Sequence, residues 1–289
     1  MSEKRQFNMK PTEFQIKEIL AQPASCINLA PGLRLTFLQQ LCVGFSEFYE
    51  AIGVNKLANE TNVTIAKEFD RVQHLKFQTK FLLALAKLLM KCDNFNELHF
   101  DDKWLLYKNA WMTFYKIERF YASVQLFGTS FKDCRVIYYD TTALDYSEKN
   151  IKLKDMESQN NDQWNNYWNP LRNKYVKCVL IPLKEMKLSQ FELTYILAQI
   201  VWNVGDLDGL SEKANRIAEE VNSQIANELH NYYVHENHLT NYAERLTKIN
   251  KMISATESVI HVKKDLGLVA EIFNLWNLEI VGSELCDIG

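Results

Sequence analysis

The chain has 289 residues, 47% of them apolar and 12% aromatic, with a formal charge of −3 at neutral pH. That is ample apolar material for one large packed domain or two small ones, and the charge excludes a broad phosphate-binding surface, which clustered Lys and Arg would have to supply. Nine glycines and five prolines are too few for the turns of a strand-rich fold, so few, long helices are expected. Six scattered cysteines (Cys26, Cys42, Cys92, Cys134, Cys178, Cys286) form no Cys-x-x-Cys pair, so no zinc module and no metal site is expected. The polar N-terminus shows no secretory signal, which makes them reduced thiols of a cytosolic or nuclear protein. No run of 18 apolar residues is free of charge, so no membrane segment is expected.

Residues 1–12 read as loose and polar, followed by a short helix over 13–20 that ends before Pro23 and Pro31. Residues 36–52 form an amphipathic pattern, with Phe37, Leu38, Leu41, Phe45 and Phe48 at helical spacing. The longest stretch without a breaker is 63–91, and its second half, "FLLALAKLLM", is apolar almost all round, the mark of a helix buried between neighbours. After the turn "DNFNELHFDD", Asp101 and Asp102 stand where a helix N-terminus attracts carboxylates, and Trp104 to about Leu126 continues that helix. The segment 134–147, "CRVIYYDTTALDYS", is rich in β-branched and aromatic residues and is long enough for one hairpin. Helices resume over 168–183, with a break expected at Pro182, then over 189–203. Ser211 is the expected N-cap of a helix whose buried face runs Leu210, Ala214, Ile217, Val221, Ile225, Leu229. Two further helices are expected over 240–262 and 266–278.

Several residues invite a chemical reading beside a plain one. Asp101-Asp102 is reminiscent of the Asp-rich magnesium–diphosphate motif of helical prenyl-transferring enzymes, but that motif needs a third acid where Trp104-Leu105-Leu106 stand, so a helix start is favoured. "LAKLL" (85–89) has the form of a coactivator box and, inside an all-round apolar helix, is favoured as core. His230, His235 and His238 lack a converging Cys or carboxylate and are read as loop histidines. Glu192 and Arg245, each in an apolar helix, are expected to form a buried ion pair between helices. Arg119 stands open between a satisfied core arginine and the polar anchor of an apolar pocket.

The order of these pieces resembles the ligand-binding domain of a nuclear hormone receptor. The match is carried by Phe95, Glu97-Leu98, Asp101-Asp102-Lys103, Leu105-Leu106, Lys108 and Trp111, continued by "KIERFYAS", with Lys103 in place of Gln as in nematode-type receptors. "IPLKEMKLSQFELTYILAQIVWN" is similar to the seventh-to-eighth helix junction and "NYAERLTKINKMISATESVIH" to the tenth helix of that family. The resemblance implies an all-α, three-layer antiparallel helical sandwich of about ten helices with one small hairpin. It divides the chain into an N-terminal segment 1–34, a ligand-binding domain 35–280 and a tail 281–289, and it implies a nuclear location, with the cytoplasm as the second compartment.

The implied function is ligand-responsive transcriptional regulation, without enzyme activity or cofactor. A fatty-acid- or sterol-like molecule would fill a pocket of His74, Phe77, Gln78, Phe81, Met112, Tyr115 and Arg119. The activation helix would be "LVAEIF", with Leu268, Val269, Ile272 and Phe273 docking it and Glu271 capping a coactivator Leu-x-x-Leu-Leu helix. At the strict position of the opposing clamp lysine stands Met90, leaving Lys87, Lys91 and Lys108 as the basic residues of the groove. Coactivator or corepressor helices and a homodimer or receptor heterodimer are the implied partners, with Ile253 and Ile260 on the dimer surface; this chain itself is not expected to bind nucleic acid. The zinc-bearing DNA-binding module expected ahead of such a domain is absent from the sequence. That keeps a second reading open, a receptor-like protein without zinc fingers that dimerises with other receptors and represses them. A helical lipid-diphosphate enzyme is the third.

Overall fold

A computed structural model describes residues 5–23, 35–53, 62–156, 158–205, 207–272, 278–282 and 284–285. Of the expected loose stretch 1–12, residues 5–12 are ordered: they form strand β1 (Arg5–Asn8) and the start of helix α1 (Lys10–Leu20). Helix α2 (Phe37–Ile52) starts at Thr36, whose side chain takes the backbone N–H of Gln39 while Gln39 returns a bond to the Thr36 N–H, a reciprocal cap. The long apolar stretch divides where Asp70 caps helix α3 (Arg71–Met90); the residues ahead of it form two short strands, β2 (Thr64–Ile65) and β3 (Glu68–Phe69). Leu85, Leu88 and Leu89 of the coactivator-box look-alike are buried core. At Gly44 the backbone of α2 approaches α3 so closely that a Cβ would lie 2.6 Å from the Leu88 side chain.

A single turn, α4 (Asp93–Asn96), leads to the central helix α5 (Phe100–Phe127). The hairpin follows as β4 (Arg135–Tyr139) and β5 (Thr142–Asp145), then β6 (Lys152–Leu153). The sheet content exceeds one hairpin, because β2 pairs in parallel with β5 and β3 with β6, while β1 pairs in parallel with β7 (Leu278–Val281). Each added pairing is two to four residues long and made by chain segments distant in sequence, which leaves no local alternation to read.

Helix α6 (Ser158–Tyr175) carries Pro170 inside it, and the chain passes through a π-helical turn (Val176–Leu180) into α7 (Ile181–Met186). The expected break at Pro182 is absent, since Pro182 falls in the first turn of α7, where a missing N–H leaves no bond unmade. Helix α8 (Gln190–Trp202) begins with a reciprocal Ser189–Glu192 cap, and α9 (Glu212–Asn231) with Ser211 as its cap. The last two expected helices are one, α10 (Ala243–Ile272): nothing between Asp265 and Leu268 stops the helix except Gly267, which a helix interior tolerates at about 1 kcal/mol. Helices α5 and α8 form the middle of the sandwich, packed on α2 and α3 on one side and on α7 and α10 on the other; α1 lies on α3 and α5.

Candidate functional site

Where α3, α5, α6, α10 and the β-strands converge, the core opens into a cavity of about 30 Å³. Its apolar wall comes from Phe69, Tyr138, Leu144, Ile151 and Leu153, closed by Trp164 and Trp168, which stack on one face of α6 with ring centroids 5.8 Å apart. Its polar wall is cationic: Arg71 and His74 from α3, Lys116 from α5 and Lys263 from α10. All four are buried. Arg71 is paired with Asp155 at 2.8 Å. The His74 Nε2 lies 2.8 Å from the Tyr115 hydroxyl, which donates to the Tyr138 carbonyl at 3.3 Å. With that hydroxyl proton directed at the carbonyl, the pairing assigns the Nε2–H to His74. Burial, then the charges of Lys116, Lys263 and Arg71, push its pKa well down, consistent with a neutral ring.

Lys116 is different. Its ammonium sits 5.5 Å from the ring centroids of Tyr115 and of Tyr138, and no carboxylate pairs with it among the described residues. Burial above all, and Lys263 next, hold its pKa well below the ordinary lysine range. A buried amine facing a cavity is a standing demand for an anion.

Of the seven expected pocket residues, only His74 lines this cavity. Phe77, Phe81 and Tyr115 are packed core: the Phe81 and Tyr115 rings meet edge to face at 4.9 Å, and Phe81 meets Phe48 at 5.2 Å. Gln78 is likewise buried away from the cavity, and Met112 lines a separate surface cleft with Lys108, Ile260 and Lys264. Arg119 is paired within its own helix, with its Nη1 buried and without a hydrogen-bond partner. The adjacent Glu118 takes its Nε–H at 2.6 Å and its Nη2–H at 2.8 Å, and the Phe77 ring lies 4.8 Å from the guanidinium. The aromatic side chains fill the space expected for a ligand, and the basic residue of α5 that lines the cavity is Lys116, one turn back from Arg119.

The expected groove residues are divided. Lys87 and Lys91 line a cleft between α2 and α3, where Lys91 pairs with Glu47. Lys108 lies elsewhere, on α5, and pairs with Glu284 at 2.9 Å. The expected activation segment is the last turn of α10 instead of a separate docked helix: Leu268 is 55% exposed and Ile272 74%. Val269 and Glu271 fall in that turn, and Phe273 lies outside the described residues. Ile253 and Ile260 are 8% and 4% exposed within the single chain, so they belong to its own core and are unavailable as a dimer face. The helical period placed both on one side of α10, but that side faces inward.

The expected Glu192–Arg245 pair is present, with Nη2 donating to Oε2 at 2.8 Å and the Tyr233 hydroxyl donating to the same carboxylate at 2.6 Å. His230 meets the Tyr242 hydroxyl at 2.8 Å. Asp102 does more than start a helix: it accepts from the backbone N–H of Ser211 at 2.9 Å and from its hydroxyl at 2.7 Å, tying α5 to the first turn of α9. Sequence reasoning missed Lys116, although the signal was there: a lysine directly after the apolar and aromatic run "WMTFY" is as conspicuous as Arg119 three residues on.

The comparisons agree with this geometry. A family profile described as the ligand-binding domain of nuclear hormone receptor matches residues 59–273. Among curated proteins, the Caenorhabditis elegans nuclear hormone receptor family members nhr-213, nhr-54 and nhr-218 are 25%, 26% and 25% identical, over 72%, 67% and 70% of this chain. The chain spans about half the length of these relatives, 50%, 47% and 52% respectively. With the helical sandwich, its central helix and the matched span in agreement, the chain belongs to the nuclear hormone receptor family through its ligand-binding domain.

Proposed function

We propose that this chain is the ligand-responsive part of a nuclear transcription regulator, and that its ligand is an acid whose anionic head sits between Lys116, Lys263 and Arg71. The observation that supports this reading is the carboxylate-free, buried ammonium of Lys116 at a cavity whose other walls are apolar. An anion there favours the protonated amine that burial otherwise disfavours, so binding, protonation and stability are linked. The domain acts as a regulator and not as a catalyst in this reading: ligand occupancy biases which surface is offered to a coactivator or corepressor helix.

One observation favours a second reading. A volume of about 30 Å³ holds about one water, whereas a lipid needs several hundred cubic ångströms, so a ligand must move the Trp164–Trp168 wall outward. If that wall stays shut, the domain is filled by its own aromatic side chains and acts by pairing with other receptors. Native mass spectrometry of the purified chain, followed by titration with a medium-chain fatty acid, separates the two. The first reading expects saturable binding that Lys116→Met abolishes. No binding by the unmodified chain supports the second.

A further inference from the structure

Helix α1 is a short amphipathic helix that lays one narrow face on the main core. Its apolar side is a narrow stripe, Thr12, Ile16 and Leu20, all buried, with Ile19 half-buried beside them. Written out, residues 16–20 read Ile-Lys-Glu-Ile-Leu: apolar, two polar, two apolar, the pattern that a short amphipathic helix presents to a groove. The groove is made by α3 and the first turns of α5. Thr79 of α3 touches Met9, and the helical period puts Leu83, Ala86 and Met90 on the same side of α3. From α5, Trp104 lies under the Lys17 ammonium at 4.7 Å.

Both ends of α1 are held by polar groups. At its C-terminal end the Lys103 ammonium, itself buried, donates to the free carbonyl of Leu20 at 3.3 Å and to Asn96 at 3.4 Å. Lys103 thus supplies the carbonyl-capping cation that Met90, on the α3 side, cannot. At the other end the strap formed by β1 and β7 closes over the helix. Met9 donates its N–H to Val281 at 3.1 Å, and the Glu284 N–H donates to Glu13 at 3.0 Å. Glu284 also accepts from Lys108 at 2.9 Å and from Trp104 at 3.2 Å. Gly282, at a φ of +75°, passes so close to α1 that a Cβ would stand 2.3 Å from Lys10.

We infer that this groove is a helix-docking surface whose resident occupant is α1, and that a partner's amphipathic helix of the same apolar–x–x–apolar–apolar pattern binds there by displacing α1. This rests on the reading that the domain recruits coregulator helices. The strap makes α1 a tethered competitor. While α1 is seated, only the fraction of molecules with an open groove is competent, and the apparent affinity for a partner is reduced by that fraction. Displacement uncovers Lys103 and Lys108 together, a cation for the partner's C-terminal carbonyls and one for acidic residues on its flank.

The test uses the full chain and two fluorescent peptides, one copying residues 9–22 and one an unrelated Leu-x-x-Leu-Leu helix, with anisotropy as the readout. The double variant Ile16→Glu/Leu20→Glu unseats α1. It is expected to bind both peptides at least about tenfold more tightly than the unmodified chain, which corresponds to about 1.4 kcal/mol. Glu284→Lys, a change at an exposed position, loosens the strap alone and is expected to give a smaller gain in the same direction. It serves as the deciding variant if circular dichroism shows the double variant unfolded. Equal affinity of the unmodified chain and a folded variant for both peptides overturns the resident role of α1 and leaves helix recruitment standing. A folded variant that binds the residue 9–22 peptide but not the Leu-x-x-Leu-Leu peptide supports α1 as resident and overturns the recruitment reading. A folded variant that binds neither overturns both.

Discussion

Two basic residues three positions apart on α5 have opposite fates, and the difference lies in what surrounds each. Arg119 curls onto the neighbouring Glu118 and is paired within its own helix, whereas Lys116 faces a cavity with tyrosine rings and the Lys263 side chain about it and no carboxylate partner among the described residues. Arg119→Leu therefore strands a buried carboxylate and is expected to cost about 3–5 kcal/mol in denaturant melts while leaving fatty-acid affinity unchanged. Lys116→Met removes a buried amine that has no carboxylate partner among the described residues, and is expected to raise the stability of the ligand-free domain, as apolar replacement of a buried polar group that lacks a partner does. The sign follows from linkage. Because the folded Lys116 pKa is pushed below the ordinary 10.5, the unfolded chain binds more protons over that interval, and stability rises with pH there. Melts of the variant should lose that slope. The sequence drew attention to Arg119 of α5 but not to Lys116, because pairing between Glu118 and Arg119 depends on which rotamers the packed core allows.

Between elements, one buried tie runs through the carboxylate of Glu192 on α8. Burial alone would raise its pKa, but hydrogen bonds from Arg245 of α10, from Tyr233 and from the Ser189 N–H hold it below the ordinary 4.5. A group with a lowered folded pKa contributes stability above its unfolded value and loses it as pH falls. The α8–α10 tie is thus complete at neutral pH and weakens below about pH 4.5. Arg245→Ala is expected to cost about 1.5–3 kcal/mol, the range for hydrogen bonds to charged groups, and to flatten the acid limb of a stability–pH profile. This pair was legible from the sequence, since two opposite charges in otherwise apolar helices have few ways to be satisfied. Element starts were legible too: Thr36, Ser189 and Ser211 all cap where their side chains suggest. Element ends were less so. The continuation of α10 to Ile272 and the π-helical turn ahead of α7 depend on tertiary packing, since neither Gly267 nor Pro182 acts as the stop its residue type suggests.

Across the whole molecule, stability and occupancy should move together. A fatty acid at 100 times its Kd is expected to stabilise the domain by about 2.7 kcal/mol, visible as a raised Tm, and to do nothing for Lys116→Met despite that variant's higher baseline. The strap adds an acid-sensitive feature. Hydrogen bonds from Lys108 and then Trp104 lower the Glu284 pKa to about 2, so its hold on α1 is intact above the ordinary 4.5 and is lost as pH falls toward about 2. Hydrogen exchange should show the α1 amides opening earlier than those of α3 as the solution is acidified; parallel opening would show that the strap does not control α1.

Apolar periodicity, capping residues and scarce glycine and proline were sufficient by themselves to determine a mostly helical chain, its central helix and one hairpin, because these signals are local and each acts within a few residues; the sandwich arrangement was implied only by the resemblance to the receptor domain. Three features were decided only by the tertiary structure. Closure of the expected pocket by Phe81 and Tyr115, inward rotation of Ile253 and Ile260, and the seating of α1 under a strap joining residues 5–8 to 278–281 all arise from contacts between distant segments. Periodicity tells which side of a helix is apolar, but only packing settles whether that side meets a ligand, a partner or the chain itself.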